Sequence, residues 1–262
     1  MKKLLILIRI SLIDSFEYRG DMLIHSLSWS AQPIVYLLIW LAVASSSRSI
    51  SMSPGDFIKY YLWLMLIQIW VSAWGCSFIA SAIRFGRLSP YLVKPISYYN
   101  FQIANNLGEK VLKTIFILPV LSTLVILLKP AWPGLTVLGW VFFMWSWLQA
   151  AMVYFLVDYI VGLTAFWIEE NSAIDSLYNI VHVVFSGILI PLALMPDWIR
   201  SLSVYLPFRY EISFPLEILL QKLSSEELAK GFAIQTLWVM VLYFLCRFLW
   251  KRGLVRYSAA GA

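Results

Sequence analysis

Four polar side chains recur along one apolar stretch of the chain, and their spacing gives them the clearest capacity for chemistry. Asp175, Asn179, His182 and Ser186 follow one another at steps of four, three and four residues. This spacing places all four on one face of a helix. Polar groups inside a membrane avoid lipid because exposure to it is costly. The stripe therefore predicts either a polar path or dimer seam, or hydrogen bonding between neighbouring helices.

Gln68 and Ser72 form a similar step of four in an earlier apolar stretch, and we group them with the candidate pathway or dimer seam. Asp158 lies near the end of another stretch, where we expect it to pair with a basic neighbour.

Catalysis is the less favoured interpretation of these residues. The pair at 169–170, Glu-Glu, together with His182, resembles part of the glutamate-pair membrane proteases. Those enzymes also require an arginine four residues beyond the pair, where this chain has Ile174, and a second histidine in a later span. Since no Ser/His or paired-Asp arrangement replaces them, we predict no catalytic residue. Cys76 and Cys246 lie in apolar runs without a CxxC pattern, so no metal site is predicted.

Composition indicates what must position these side chains. The 262 residues are 61% hydrophobic and 13% charged, whereas soluble domains are nearer a quarter charged. The net charge of +6 comes from scattered residues without interleaved aromatics, which argues against nucleic acid as a partner. A bilayer core needs about 20 apolar residues per helix. We therefore predict an all-α integral membrane protein with six transmembrane helices, at 22–44, 57–80, 111–128, 134–157, 174–194 and 232–250.

The chain is predicted to be a single transmembrane domain, 1–262, with three parts. Residues 1–20 carry apolar side chains at helical spacing and basic residues suited to anionic headgroups, which predicts an interfacial helix. Residues 22–250 form the six-span bundle, and 251–262 form a tail. Most lysines and arginines fall on the side of the N-terminus, so both termini are predicted to be cytoplasmic.

The loop between the second and third stretches has well-marked helix boundaries. Ser89-Pro90 suits the first turn of a helix, and Lys94-Pro95 ends it because proline restricts the residue before it. About one to two turns remain, with apolar side chains that need cover. The cover is either a partner protein or the lipid headgroups.

Prolines also divide the segment after the fifth stretch. Between them lie helical pieces at 197–205 and 211–223, both too short to span a bilayer core. They form either a re-entrant hairpin whose backbone is covered by protein or an ordinary pair of interfacial helices.

The loop 86–97 resembles the first cytoplasmic loop of type-two ABC exporter permeases. The resemblance rests on Gly86, Leu88, Leu92, Lys94-Pro95 and Ser97, and it covers nearly the whole chain. More narrowly, the chain is similar to small six-span bacterial permeases that work with a separately encoded ATPase. The resemblance implies a coupling helix that docks on the ATPase and a re-entrant outer hairpin between spans five and six. The implied docking residues are Leu88, Tyr91, Leu92 and Lys94, with Pro95 as a positioner, and the implied hairpin residues are Trp198, Arg209 and Glu211.

The partners follow from the same comparison and from a missing motif. The chain has no GxxxxGK[ST] sequence, so we expect this chain to bind no cofactor, and ATP and Mg to bind a partner P-loop ATPase. A second permease, identical or related, and membrane lipid complete the expected partners, in a bacterial inner membrane. The alternative is an ion-coupled secondary transporter, which would show an inverted repeat with buried acids in corresponding halves.

Overall fold

A computed structural model describes residues 2–17, 19–46, 52–94, 96–130, 132–168 and 171–257. Within these ranges the chain is helical, without strands. The α-helices are α1 (Lys2–Glu17), α2 (Arg19–Ser46), α3 (Pro54–Val71), α4 (Gly75–Arg84), α5 (Ser89–Leu92), α6 (Tyr98–Leu128), α7 (Val137–Leu163), α8 (Ser172–Phe185), α9 (Asp197–Ser203), α10 (Ser213–Leu219) and α11 (Ser225–Arg256). Three 3₁₀ turns lie at Thr164–Phe166, Leu192–Leu194 and Phe208–Tyr210.

Five segments in the described ranges are long and apolar enough to cross a membrane. They are Ser26–Ser46, Pro54–Arg84, Tyr98–Leu128, Val137–Phe166 and Ser225–Arg256. The remaining predicted stretch, 174–194, contains α8, which has 14 residues and is therefore only about 21 Å long. The helix stops because Gly187 adopts a positive φ of 87° and Pro191 follows closely. The fifth predicted span, and with it the total of six, therefore stays a prediction.

Helix α7 is the centre of the bundle. It packs against α3, α4, α10 and α11, and most of the apolar part of α7 and of α3–α4 is buried inside the chain. Phe143, Leu156 and Tyr159 of α7 belong to this core. In contrast, α2, α6 and α11 turn most of their apolar surface outward, as expected of helices that meet lipid.

Helix α1 lies along α6. Ser11 Oγ donates to the carbonyl oxygen of Asn105 over 3.4 Å, and Gly108 permits this approach because a Cβ there would stand 2.3 Å from Ser11 Oγ. Leu5 and Phe16 of the predicted apolar stripe are exposed. This outward apolar surface suits contact with a membrane, which is the placement that the sequence predicts.

Helix α6 begins at Tyr98, well before the predicted boundary at residue 111. Hydropathy does not mark the first turns because asparagine and glutamine residues at 100–106, followed by Glu109 and Lys110, lower it. Glu109 and Lys113 form an ion pair at 2.5 Å, and Lys113 Nζ lies 4.6 Å from the centre of the Trp74 ring. These contacts allow the helix to bury charge next to its apolar part.

Candidate coupling and pathway sites

The loop between α4 and α6, hereafter the docking loop (residues 86–97), is folded against the protein. Gly86 turns the chain with a φ of 68°, and Leu88 N then donates to the carbonyl oxygen of Ala82 over 3.0 Å. The predicted short helix is present as α5. Leu88 has 0% exposure, so it anchors the loop in the core. The predicted positioner Pro95 lies outside the described residues.

The outer side of the docking loop is apolar and open. Leu92 is 43% exposed and the next residue, Val93, is 86% exposed. Tyr91 turns inward, with its ring centre 4.7 Å from that of Phe101, and Lys94 Nζ lies 5.2 Å from the Tyr91 ring centre. The loop therefore presents Leu92 and Val93 from a helix that Leu88 and Tyr91 hold in place. The sequence prediction did not include Val93.

The helix that leads to the docking loop is broken. Helix α3 ends at Val71 and α4 starts at Gly75, with residues 72–74 non-helical between them. Asp158 of α7 fills the break, since its Oδ2 accepts the backbone N–H of Cys76 over 3.0 Å. A carboxylate at this position satisfies an open helix N-terminus and interacts favourably with its dipole. Asp158 thus binds backbone, whereas we expected a basic side chain as its partner.

Two further contacts hold α4 in place. Asn171, just before α8, accepts a hydrogen bond from Arg84 Nη2 over 2.9 Å, and its Nδ2 lies 3.7 Å from Cys76 Sγ. Gly162 of α7 allows close packing because a Cβ there would be 2.9 Å from the Cβ of Ile79. Helix α4 therefore packs along α7, and Asn171, just before α8, contacts it as well.

The predicted polar stripe divides into an outer and an inner part. On α8, Asn179 is exposed and donates to the carbonyl oxygen of Asp175 over 2.8 Å, and Asp175 is half-buried. His182 and Ser186 are buried. Gln68 and Ser72, the candidates near the end of α3, are also buried, and Ser72 N donates to the Gln68 carbonyl oxygen over 2.8 Å.

His182 meets a partner that the sequence analysis had assigned separately. Its Nε2 lies 2.9 Å from Glu211 Oε2, and both side chains are buried. The approach lacks hydrogen-bond alignment, and neither Glu211 oxygen has another hydrogen-bond partner among the described residues. Burial raises the pKa of the Glu211 carboxyl, and the adjacent His182 opposes that rise. This contact ties α8 to the segment after α9.

The two helical pieces predicted at 197–205 and 211–223 are present in shortened form, as α9 and α10. Trp198 on α9 is exposed. Arg209, in the 3₁₀ turn between them, pairs with Glu217 of α10 at 2.7 Å. Ser213 Oγ donates to the carbonyl oxygen of Ser186 over 2.8 Å. Helix α10 is buried against α7, so protein surrounds its backbone.

A comparison with protein-family models identifies the family of this chain. The model described as ABC-2 family transporter protein matches residues 31–261. The chain belongs to the ABC-2 family of transporter proteins. No curated protein matches the chain in a sequence comparison. The chain is therefore a multi-pass membrane protein and the permease component of an ABC transporter, which is the transport component in the membrane.

The ABC-2 permease has a cavity of about 730 Å³ beside the docking loop. It lies among α1, α4, the loop and α6, and its walls mix aromatic and polar side chains, including Asp14, Trp74, Phe101, Gln102 and Glu109. Its size lies within the range of small-molecule sites. Tyr91 lines the cavity as well, so the docking loop forms part of its wall.

Two relationships in the ABC-2 permease were beyond the sequence analysis. The break at 72–74 has no proline, and its partner Asp158 lies more than eighty residues away. The pairing of His182 with Glu211 joins two residues that the sequence placed in different groups. A lone acid in an apolar stretch was a signal for Asp158, because such a residue needs a partner, but spacing alone does not identify that partner.

Proposed function

We propose that this permease is the membrane subunit of an ATP-driven exporter, and that its docking loop couples it to separate P-loop ATPase subunits. The observation that carries the proposal is the exposed apolar pair Leu92 and Val93 on a short helix whose base, Leu88, is fixed in the core. Exposed apolar groups in a basic loop call for a protein partner. Tyr91 and Lys94 flank this pair in the sequence, and the Lys94 ammonium group lies over the Tyr91 ring.

The proposed topology has six spans, with both termini in the cytoplasm of a bacterial cell and the docking loop on the same side. In this arrangement α8 and the residues after it cross the membrane as the fifth span. Helices α9 and α10 then form the re-entrant outer hairpin, with Trp198, Arg209 and Glu211. The burial of α10 against α7 supports this placement.

The proposed mechanism starts at the ATPase. ATP and Mg bind there, the two ATPase subunits close, and the docking loop moves with them. Because α4 is bonded to Asp158 of α7 and to Asn171 before α8, movement of the loop passes to those helices. Two permease copies, identical or related, then open a pathway outward between them. The outer residues of the polar stripe, half-buried Asp175 and exposed Asn179, are proposed to line that pathway or the seam beside it.

The direct test is co-purification of the ATPase with a tagged permease in mild detergent, with identification by mass spectrometry. We expect wild type to recover a P-loop ATPase, and Leu92→Asp to lose it while still inserting in the membrane. Val137→Asp is the control, because Val137 is also apolar and, at 84%, more exposed than Leu92 but lies at the start of α7, outside the docking loop. Normal recovery with Leu92→Asp would remove the docking assignment. Recovery of no ATPase by wild type after crosslinking would favour a secondary transporter.

A further inference from the structure

The last described residue of the chain contacts the docking loop. The hydroxyl of Tyr257 accepts the backbone N–H of Ser89 over 3.1 Å and lies 2.9 Å from Ser89 Oγ. Tyr257 directly follows α11, the last helix, and Ser89 begins α5. These two hydrogen bonds join parts of the chain separated by 168 residues.

The contact gives the start of α5 a side-chain hydrogen-bond partner from outside the helix. Helix α5 has four residues, and Leu88, the residue before it, gives no side-chain cap. Short helices are unstable alone because forming the first turn is costly, and their first N–H groups have no partner within the helix. The Ser89 N–H donates to the Gly86 carbonyl oxygen within the loop over 3.2 Å, and the Tyr257 hydroxyl is a second acceptor for it from outside the loop.

The position of the Tyr257 ring is itself fixed. Its centre lies 6.3 Å from that of Phe166, and Phe166 lies 6.1 Å from Trp250 of α11. Gly253 leaves room for Phe166, since a Cβ there would be 2.1 Å from that ring. Trp250 also stacks on Tyr98, at 5.9 Å, at the other end of the docking loop. The end of α11 therefore supports both ends of the loop.

We propose that Tyr257 is a positioning residue that holds the docking loop in the conformation that receives the ATPase. This inference rests on the proposed docking function and adds a residue to it. Tyr257 touches the loop through Ser89, whereas the proposed docking surface consists of the exposed residues Leu92 and Val93. Loss of its hydroxyl should loosen the loop without altering the surface that docks.

The test compares Tyr257→Phe with Tyr243→Phe in nanodiscs with the purified ATPase. Tyr243 lies on α11, the helix that Tyr257 follows, and its hydroxyl has no hydrogen-bond partner among the described residues. In Tyr257→Phe we expect faster amide hydrogen exchange in peptides covering 87–94, with unchanged exchange in the spans. Loss of two hydrogen bonds should weaken ATPase binding by roughly five- to tenfold. Turnover at saturating ATPase should stay the same, because the docking surface is intact once bound.

A double-mutant cycle with Ser89→Ala assigns the effect. Ser89→Ala removes one of the two hydrogen bonds and should have the smaller effect, and the double variant should match Tyr257→Phe alone. Additive losses, or wild-type exchange and binding in Tyr257→Phe, would overturn the positioning role. If Leu92→Asp fails to bind while Tyr257→Phe binds normally, only this inference falls. If both bind normally, the docking assignment falls with it.

Discussion

At the scale of residues, the buried contact between His182 and Glu211 has the largest expected energetic consequence. A carboxyl group without exposure and without an aligned hydrogen bond from the described residues depends on its one close polar neighbour, His182. Tyr154 and Tyr178 surround that neighbour, with ring centres 5.1 and 5.6 Å from His182. The site is therefore enclosed, and water does not easily replace a lost partner.

Replacement of His182 by leucine should destabilise the protein, because Glu211 then loses its close polar neighbour. Removal of one member of a buried pair leaves an uncompensated charge and costs about 3–5 kcal/mol, so we expect a clear loss of thermal stability in detergent. Burial raises the Glu211 pKa, and loss of His182 raises it further. Because a protonated carboxyl carries no charge, the loss should shrink as the pH falls. The measurement is thermal unfolding of His182→Leu against wild type across pH.

The control for this experiment is the double variant His182→Leu/Glu211→Gln, which removes the buried charge as well. Its stability should recover most of the loss, and the pH-dependent part of the loss seen in the single variant should disappear. A single variant as stable as wild type at neutral pH would show that the contact carries no stabilisation.

At the scale of elements, the sequence predicts helices well where local chemistry sets their ends. Ser89-Pro90 predicts the start of α5, and the proline spacing predicts α9 and α10 to within a few residues. The break before α4 was missed because hydropathy continues across residues 72–74. Its stabilising partner, Asp158, comes from another helix. The pairing of His182 with Glu211 likewise depends on how α8 and the hairpin pack, which no local pattern contains.

Asp158→Ala tests whether the break depends on its cap. The loss of a helix cap costs about 0.5–2 kcal/mol, and we expect Asp158→Ala to lower stability by at least this much because the freed N–H of Cys76 is buried. Asp158→Asn keeps an acceptor oxygen and should lose less. The measurement is chemical or thermal unfolding of the purified permease. Equal losses for both variants would mean that the charge, rather than the hydrogen bond, stabilises the break.

At the scale of the whole molecule, the outward face of α8 is the part of the surface that a second copy is best suited to cover. Asn179 is exposed on this face among apolar neighbours. The outward face of α8 therefore carries a polar side chain away from the core. The exposed side chains of α11 between residues 237 and 245 are, in contrast, mostly apolar. Polar groups are disfavoured against lipid, so the two faces should have different neighbours in the membrane.

Cysteine crosslinking in native membranes separates these neighbours. We expect Asn179→Cys to form a disulfide-linked dimer under oxidation, because two copies place this face at their seam or beside the pathway. Phe244→Cys is the control, since Phe244 is exposed on α11 and suits lipid. The natural cysteines, Cys76 and Cys246, are buried and should contribute no background dimer. Equal crosslinking at both positions, or none at 179, would place the seam elsewhere. In that case the exposed polar residues of α8 would have to face a partner other than a second permease.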